Sequence, residues 1–150
     1  YAGHSAGGHL AVWASRRHLL PPGSPGSRGS ALSVSGVVAL APVLDLGEAF
    51  RLDLGGGAVA ALLGGPPESF PDRYRVADPV RLRGAGPKVT IIHGDEDRHV
   101  PIGMSRTYRD VVGAELIELP GVEHFALIDP ESDAWQKVAE AFGSTPAIES

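Results

Sequence analysis

A serine flanked by glycines stands near the start of the chain, in the stretch GHSAGG at 3–8. Gly3, Ser5 and Gly7 form the pattern Gly-x-Ser-x-Gly, which is typical of a sharp strand-to-helix turn that lifts a serine hydroxyl clear of a sheet. Glycines on either side leave room for the strained backbone of such a turn. Ser5 is therefore a candidate nucleophile, and the alternative is a small residue in a glycine-rich turn.

The serine needs partners, because a hydroxyl is a weak nucleophile at neutral pH. It requires a base to accept its proton and donors to hold the oxyanion that forms. A helix that starts at the turn aims its first N–H groups at the same point, which makes the Ala6 amide a candidate oxyanion donor. His124, in the segment PGVEHF before the final predicted helix, is the candidate base. Other histidines are interpreted as surface or core residues: His9, His18 and His99.

Three carboxylates follow one of the predicted strands, in the order Asp95, Glu96 and Asp97. The carboxyl ends of parallel strands are where α/β sheets place catalytic groups. One carboxylate could orient the imidazole of His124 and fix its tautomer, as the acid of a triad does. The residue types leave open which of the three does so, but the chain order Ser, Asp, His favours a triad over a plain turn.

The elements that must position these residues alternate along the chain. Helical spacing of apolar residues predicts a helix from about Ala6 to His18, another that stops at Gly113 and a final one that closes at Gly143. Runs of β-branched and apolar residues predict strands at 34–43, 88–94 and 115–121, of which the first is interpreted as a buried parallel strand. The chain is therefore predicted to be an α/β protein, with parallel sheet strands flanked by helices.

Two stretches interrupt this alternation. The segment 21–30 is rich in glycine, proline and serine and is predicted to be a surface loop. Between Asp45 and Gly86 we predict short helices and loops that form a short irregular cap-like insertion. Leu46, Phe50 and Tyr74 could line an acyl or aryl pocket there, and ordinary packing within the cap is the alternative.

The composition of the 150 residues narrows the range of partners. With 13 Lys+Arg against 18 Asp+Glu, a net charge of -5 and no basic block, a nucleic-acid partner is not expected. No apolar run approaches the roughly 18 residues of a membrane span, so no membrane partner is expected either. The chain has no cysteine and no pair of histidines at ligand spacing, so neither a metal nor an organic cofactor is expected. Oligomeric state and compartment stay open, with the cytoplasm favoured.

Three segments together carry a family resemblance: GHSAGGHLAVWA around Ser5, HGDEDRHVP around Asp97, and GVEHFALIDPESDAW around His124. They resemble the α/β-hydrolase fold superfamily, and more narrowly its bacterial esterase/lipase and kynurenine-formamidase-like branch. The resemblance implies that Ser5 is the nucleophile and His124 the general base. It also implies that Asp97 is the acid, at the aspartate of the pattern HGxxDxxVP, so that Asp95 and Glu96 are solvated loop charges.

The resemblance spans Tyr1 to about Phe142 and implies a partial domain. The family's HGGG-type loop, which usually supplies further oxyanion donors, and the strand that delivers the serine would both lie before Tyr1. We therefore expect 1–150 to be the C-terminal half of an α/β-hydrolase fold that starts at the nucleophile turn, with a tail at about 144–150. Because an oxyanion donor would be lacking, we expect these 150 residues alone to be inactive.

These implications predict a serine hydrolase that cleaves a small-molecule carboxylic ester, or an N-formyl or aryl amide, through an acyl-enzyme on Ser5. Two alternatives stay open. One is a serine peptidase of the prolyl-oligopeptidase type, which shares the fold and the order of the triad. The other is a non-catalytic binding protein on the same fold.

Overall fold

A single parallel sheet organises the chain in the computed structural model, which describes residues 1–30 and 33–143. Its strands follow the order β1-β2-β3-β4, and each pairs in parallel with its neighbour. Their bounds are β1 Ala2–His4, β2 Val37–Leu40, β3 Val89–Gly94 and β4 Glu115–Leu119. The three predicted strands are thus confirmed as shorter elements, and the chain has the predicted α/β fold.

Strand β1 corrects one expectation. The strand that delivers Ser5 was expected to lie before Tyr1, but Ala2, Gly3 and His4 pair with Val38, Ala39 and Leu40. These three residues include no β-branched side chain, so their sequence gives no strand signal. Pairing with the buried strand β2 makes them a strand, and this pairing holds the start of the Ser5 turn against the sheet.

The described residues contain six α-helices: α1 Ala6–Ser15, α2 Leu46–Arg51, α3 Ala58–Leu63, α4 Pro71–Ala77, α5 Gly103–Val112 and α6 Asp133–Gly143. Helix α1 ends earlier than the predicted His18, because the chain tightens into a 3-10 turn at Arg17–Leu19. Helix α5 ends as predicted at Gly113, which adopts a left-handed backbone with φ of 83°. The predicted tail at 144–150 lies outside the described residues.

The central strands β2 and β3 are largely buried, as their apolar runs predict, whereas the edge strands β1 and β4 are partly exposed. Alternate residues of β2 belong to different clusters: Val37 and Ala39 pack with residues of α1 and α5, whereas Val38 and Leu40 pack with residues of α6. This two-sided covering is typical of parallel sheets. Because all four strands are parallel, the segments that follow β1, β3 and β4 leave the same edge of the sheet.

The cap region between Asp45 and Gly86 consists of short helices and turns, as predicted. Asp45 caps α2 by accepting a hydrogen bond from the Glu48 N–H at 2.8 Å, and Pro71 occupies the first turn of α4. Residues of α2, α3 and α4 form a third apolar cluster with two residues that follow β3: Leu46, Ala49, Val59, Leu63, Tyr74, Val100 and Met104. Across the described ranges, no helix has both the length and the apolar character to cross a membrane.

Candidate active site

Ser5 stands at the junction of β1 and α1, in a strained turn. Its backbone has φ of 55° and ψ of -119°, a positive φ that residues with a side chain adopt at a cost of about 1–3 kcal/mol. The Ser5 N–H donates to the Leu40 carbonyl at 2.8 Å, which ties the turn to the end of β2. The serine hydroxyl does not cap α1. The turn therefore leaves the hydroxyl available to the cavity that Ser5 lines.

The glycines of the motif differ in how closely other atoms approach them. A Cβ on Gly3 would overlap the Gly7 carbonyl, and a Cβ on Gly8 would lie 2.7 Å from the Cβ of Pro42. Gly3 thus permits the turn, and Gly8 permits close packing of α1 on the segment after β2. A Cβ on Gly7 would meet no atom within 4 Å among the described residues. Contrary to the expectation from the motif, their packing does not require a glycine at position 7.

The structure brings Asp97 and His124 together. The His124 Nδ1 lies 2.6 Å from the Asp97 Oδ2, and both side chains are almost fully buried. The second carboxylate oxygen of Asp97 accepts hydrogen bonds from the N–H groups of His99 and Val100, each at 2.8 Å. Because an ionised carboxylate only accepts, Nδ1 carries the proton of the neutral imidazole. Nε2 of His124 is therefore the nitrogen free to accept a proton.

Asp97 is held in its charged form. Burial of its carboxylate raises the pKa, but hydrogen bonds from the Val100 N–H, from His124 and from the His99 N–H outweigh that effect. The pKa of Asp97 therefore lies below the usual value of an aspartate. An ionised acid at neutral pH is what stabilises a histidine when it becomes charged during proton transfer.

The two neighbouring carboxylates do not contact His124. Asp95 accepts a hydrogen bond from the Gly121 N–H at 2.7 Å, which ties two loops together, and both Asp95 and Glu96 are exposed. Of the three candidates that the sequence left open, the structure places only Asp97 against the imidazole.

Two further histidines of the motifs, His4 and His93, hold this pair in place. His93 is fully buried, with Nε2 at 2.9 Å from the Val100 carbonyl and 3.2 Å from the Asp97 Oδ2, and Nδ1 at 2.7 Å from the Ser105 hydroxyl. The Nε2 of His4 donates to the backbone carbonyl of His124 at 2.9 Å. Burial lowers the pKa of both His4 and His93, which favours their neutral forms. Their position in the motifs was the only sequence signal for this role.

A cavity of about 390 Å³ lies beside Ser5 and His124. Ser5, Ala6 and His124 line it, and the Ala6 N–H belongs to the first turn of α1, where amides have no partner within the helix. Much of the remaining wall is apolar and comes from the segment after β2 and from the cap: Val43, Leu46, Ala49, Leu54, Ala58, Val59 and Leu62. The cavity therefore has polar lining residues, Ser5 and His124, and an apolar wall.

Of the three predicted pocket residues, only Leu46 lines this cavity. Tyr74 has no exposed surface, packs within the third apolar cluster and donates its hydroxyl to the Gly65 carbonyl at 3.0 Å. Phe50 packs against the same cluster without lining the cavity. Ordinary cap packing, the alternative reading, thus accounts for Tyr74 and Phe50, because short helices bury their largest aromatic side chains against one another.

The arrangement places a serine hydroxyl, an imidazole and a carboxylate at one edge of the sheet. Within the part of the chain that the structure describes, no hydrogen bond joins the Ser5 hydroxyl to His124; such bonds often tighten only when substrate binds. In residues 1–30 and 33–143, no three His, Cys, Asp or Glu side chains are grouped so as to hold a metal ion. The chemistry that these side chains offer is proton transfer and nucleophilic attack.

A parallel α/β sheet with a strained serine turn after one strand, and an acid–histidine pair in the loops of two others, defines an α/β-hydrolase-like protein. The chain belongs to the BD-FAE family, whose family model matches residues 1–111. That match includes Ser5 and Asp97 and ends before His124. Comparison with curated proteins finds no match for this chain.

Solved structures with the same fold include several esterases. A thermophilic esterase from the Planctomycetes species Thermogutta terrifontis, with propionate bound, is 26% identical, with a TM-score of 0.65 over 95% of this chain and 52% of the esterase. A truncated carbohydrate esterase from gut microbiota is 23% identical, with a TM-score of 0.70 over 96% of this chain and 58% of its own. A bifunctional GH43-CE protein from Bacteroides eggerthii is 23% identical, with a TM-score of 0.72 over 97% of this chain and 23% of its own. The chain spans about half the length of the first esterases that it matches.

Proposed function

We propose that this protein is a serine hydrolase of carboxylic esters, with Ser5 as nucleophile, His124 as general base and Asp97 as the acid that orients the base. The observation that carries the proposal is the 2.6 Å hydrogen bond between His124 and Asp97 beside the cavity that Ser5 lines. A plain glycine-rich turn would give no reason for a buried acid–histidine pair in two distant loops. A binding protein on the same fold would give no reason to fix the imidazole with Nε2 free.

The proposed reaction has two halves. The Ser5 Oγ attacks the ester carbonyl while the Nε2 of His124 accepts the hydroxyl proton, and the Ala6 N–H donates to the oxyanion of the tetrahedral intermediate. The C–O bond to the alcohol then breaks, and His124 returns the proton to the leaving alkoxide. Water attacks the acyl-enzyme with the same assistance from His124, which releases the acid and restores Ser5.

An ester is favoured over an amide as the substrate. Several solved structures with this fold are described as esterases, one with propionate bound and another as a carbohydrate esterase. The apolar wall of the cavity suits an alkyl or aryl group beside the scissile bond. An N-formyl or aryl amide would pass through the same tetrahedral intermediate, so the proposal is tested with both bond types.

The test uses the chain extended upstream by its own coding sequence to the length of the matched structures. Hydrolysis of 4-nitrophenyl butanoate and of formanilide is measured for the wild type, for Ser5→Ala and for Ser30→Ala, which changes an exposed loop serine. We expect faster ester than amide hydrolysis, a loss of about 10³-fold or more in Ser5→Ala, and no loss in Ser30→Ala. Equal rates in Ser5→Ala and wild type, or no hydrolysis of either compound, would overturn the proposal.

A further inference from the structure

His9 lines the cavity, although the sequence predicted only a surface or core residue at this position. It follows Ser5 by four residues, and both residues line the same cavity. The Nε2 of His9 lies 2.9 Å from the Ala77 carbonyl at the end of α4. The side chain is buried, with 7% of the residue exposed, and the ring lines the cavity.

The bond to Ala77 fixes the tautomer of His9. A backbone carbonyl can only accept a hydrogen bond, so Nε2 carries the proton and Nδ1 has a free lone pair. Burial lowers the pKa of His9, which favours this neutral form at pH 7. Within the described residues, Nδ1 makes no hydrogen bond, yet it is not among the polar atoms that are sealed from solvent without a partner. Nδ1 is therefore an open acceptor.

Most of the residues that line the cavity are apolar, although Ser5, His99 and His124 line it too. The cavity wall that α2 and α3 contribute offers Leu46, Val59 and Leu62, none of which can donate a hydrogen bond. A ligand that covers this acceptor without offering a donor loses about 1–3 kcal/mol, so a ligand that brings a donor to Nδ1 is favoured over one that brings a hydrocarbon. The cavity that Ser5 and His9 share therefore favours a ligand with a donor near His9.

We propose that His9 is a specificity-determining residue that accepts a hydrogen bond from a hydroxyl group of the substrate. The preferred substrates are then carboxylic esters that carry a hydroxyl on the acyl half or on the alcohol half, a few bonds from the scissile carbonyl. This inference rests on the proposed esterase function and adds the class of ester.

Two matched substrate pairs test the preference in the upstream-extended protein and distinguish the two halves of the ester. The acyl pair is 4-nitrophenyl 3-hydroxybutanoate and 4-nitrophenyl butanoate. The alcohol pair is 2-hydroxyethyl butanoate and ethyl butanoate. For each pair the ratio of kcat/KM, hydroxylated over plain, is measured together with the free hydrolysis rate. We expect the hydroxylated-over-plain ratio of one pair to be about tenfold higher than the same ratio of the other pair.

Two variants separate the acceptor from the bond to Ala77. His9→Gln puts an amide near the position of Nε2, which keeps a donor for Ala77 and removes the acceptor at Nδ1. His9→Asn puts an amide oxygen near the position of Nδ1 and gives up the bond to Ala77. Leu10→Gln, at an exposed position of the same helix, is the matched control. Circular dichroism and thermal unfolding establish that each variant is folded.

The expected result is a preference ratio that falls to about one in His9→Gln, and that persists in His9→Asn and Leu10→Gln. A wild type without preference in either pair would overturn the role of His9, and so would a His9→Gln protein that keeps the full ratio. Those results would leave ester hydrolysis itself standing. The absence of hydrolysis of all four esters would instead overturn the proposed function, and the inference with it.

Discussion

The Nδ1 of His124 lies 2.6 Å from the Oδ2 of Asp97, although the two residues are 27 positions apart in the chain. The contact joins the loop after β3 to the loop after β4, which leave the same edge of the sheet because the strands are parallel. It fixes the tautomer of the imidazole and leaves Nε2 open beside the cavity that Ser5 lines. The proposed activity depends on this relationship.

Replacement of Asp97 by asparagine tests the role of the acid. Asp97→Asn removes the negative charge and puts an N–H group toward the Nδ1 of His124, which favours the wrong tautomer. We expect kcat for ester hydrolysis to fall by about 10⁴-fold, as loss of the acid does in serine–histidine–acid triads. The measurement is steady-state hydrolysis of 4-nitrophenyl butanoate by the upstream-extended protein.

The matched control for this variant is Glu96→Gln. Glu96 belongs to the same loop and is exposed, and no hydrogen bond of its side chain is found within the described ranges. It should keep the wild-type rate. If Glu96→Gln lost as much activity as Asp97→Asn, the acid would not be distinguished from its neighbours and its assignment would fail.

His93 is expected to act as a positioning residue for Asp97. His93→Leu removes the donor to the Val100 carbonyl and to Asp97, and it leaves the buried Ser105 hydroxyl without its acceptor. We expect a lower melting temperature and a kcat reduced by about tenfold with little change in KM. His93→Gln, which keeps a donor near the position of Nε2, should recover part of kcat. Equal losses of kcat in both variants at equal stability would contradict a positioning role.

The sequence was sufficient for the larger elements, and the family resemblance singled out Asp97, the carboxylate that the structure places against His124. β-branched runs identify β3, and Gly113 marks the end of α5, because both signals are local. Strand β1 was missed because its three residues are strands only by virtue of pairing with β2. Features that depend on the packing of short helices were missed for the same kind of reason. The side chain of Tyr74 packs within the third apolar cluster, and that of Phe50 packs against it. The Nε2 of His9 hydrogen-bonds to the carbonyl of Ala77, 68 positions away in the chain.

Gly8 should be less tolerant of a side chain than Gly7. A Cβ at Gly8 would lie 2.7 Å from the Cβ of Pro42, so Gly8→Ala must push α1 away from the segment after β2. We expect a loss of about 1–3 kcal/mol in the free energy of unfolding, measured by urea denaturation. Gly7→Ala, where the added Cβ meets no described atom, should cost less than Gly8→Ala. The reverse order would contradict the described packing of α1.

Asp78 should give the fold a distinctive pH dependence. Burial raises the pKa of its carboxyl from 3.8 to about 6, although the Leu46 N–H donates to it at 3.0 Å. Between about pH 4 and pH 6 the folded protein therefore binds more protons than the unfolded chain, so this group's contribution to stability falls as pH rises through that window. Asp78→Asn removes this loss, so its stability relative to wild type should rise by up to about 3 kcal/mol from pH 4 to pH 7.

The measurement for Asp78 is urea unfolding of wild type and variant at several pH values across that window. Asp72→Asn serves as the control, because Asp72 is an exposed residue of α4 paired with Arg75. Its stability relative to wild type should change little between pH 4 and pH 7. A difference between Asp78→Asn and wild type that stays constant with pH would show that Asp78 does not titrate in this window.

The central claim is that Ser5 is an activated nucleophile, and covalent labelling tests it most directly. The upstream-extended protein is exposed to a fluorophosphonate, and its intact mass is measured alongside Ser5→Ala and His124→Ala. We predict one adduct on the wild type, none on Ser5→Ala and much slower labelling of His124→Ala. A folded wild type that takes no label, or a Ser5→Ala protein that labels as well as wild type, would contradict the account and return Ser5 to the role of a turn residue.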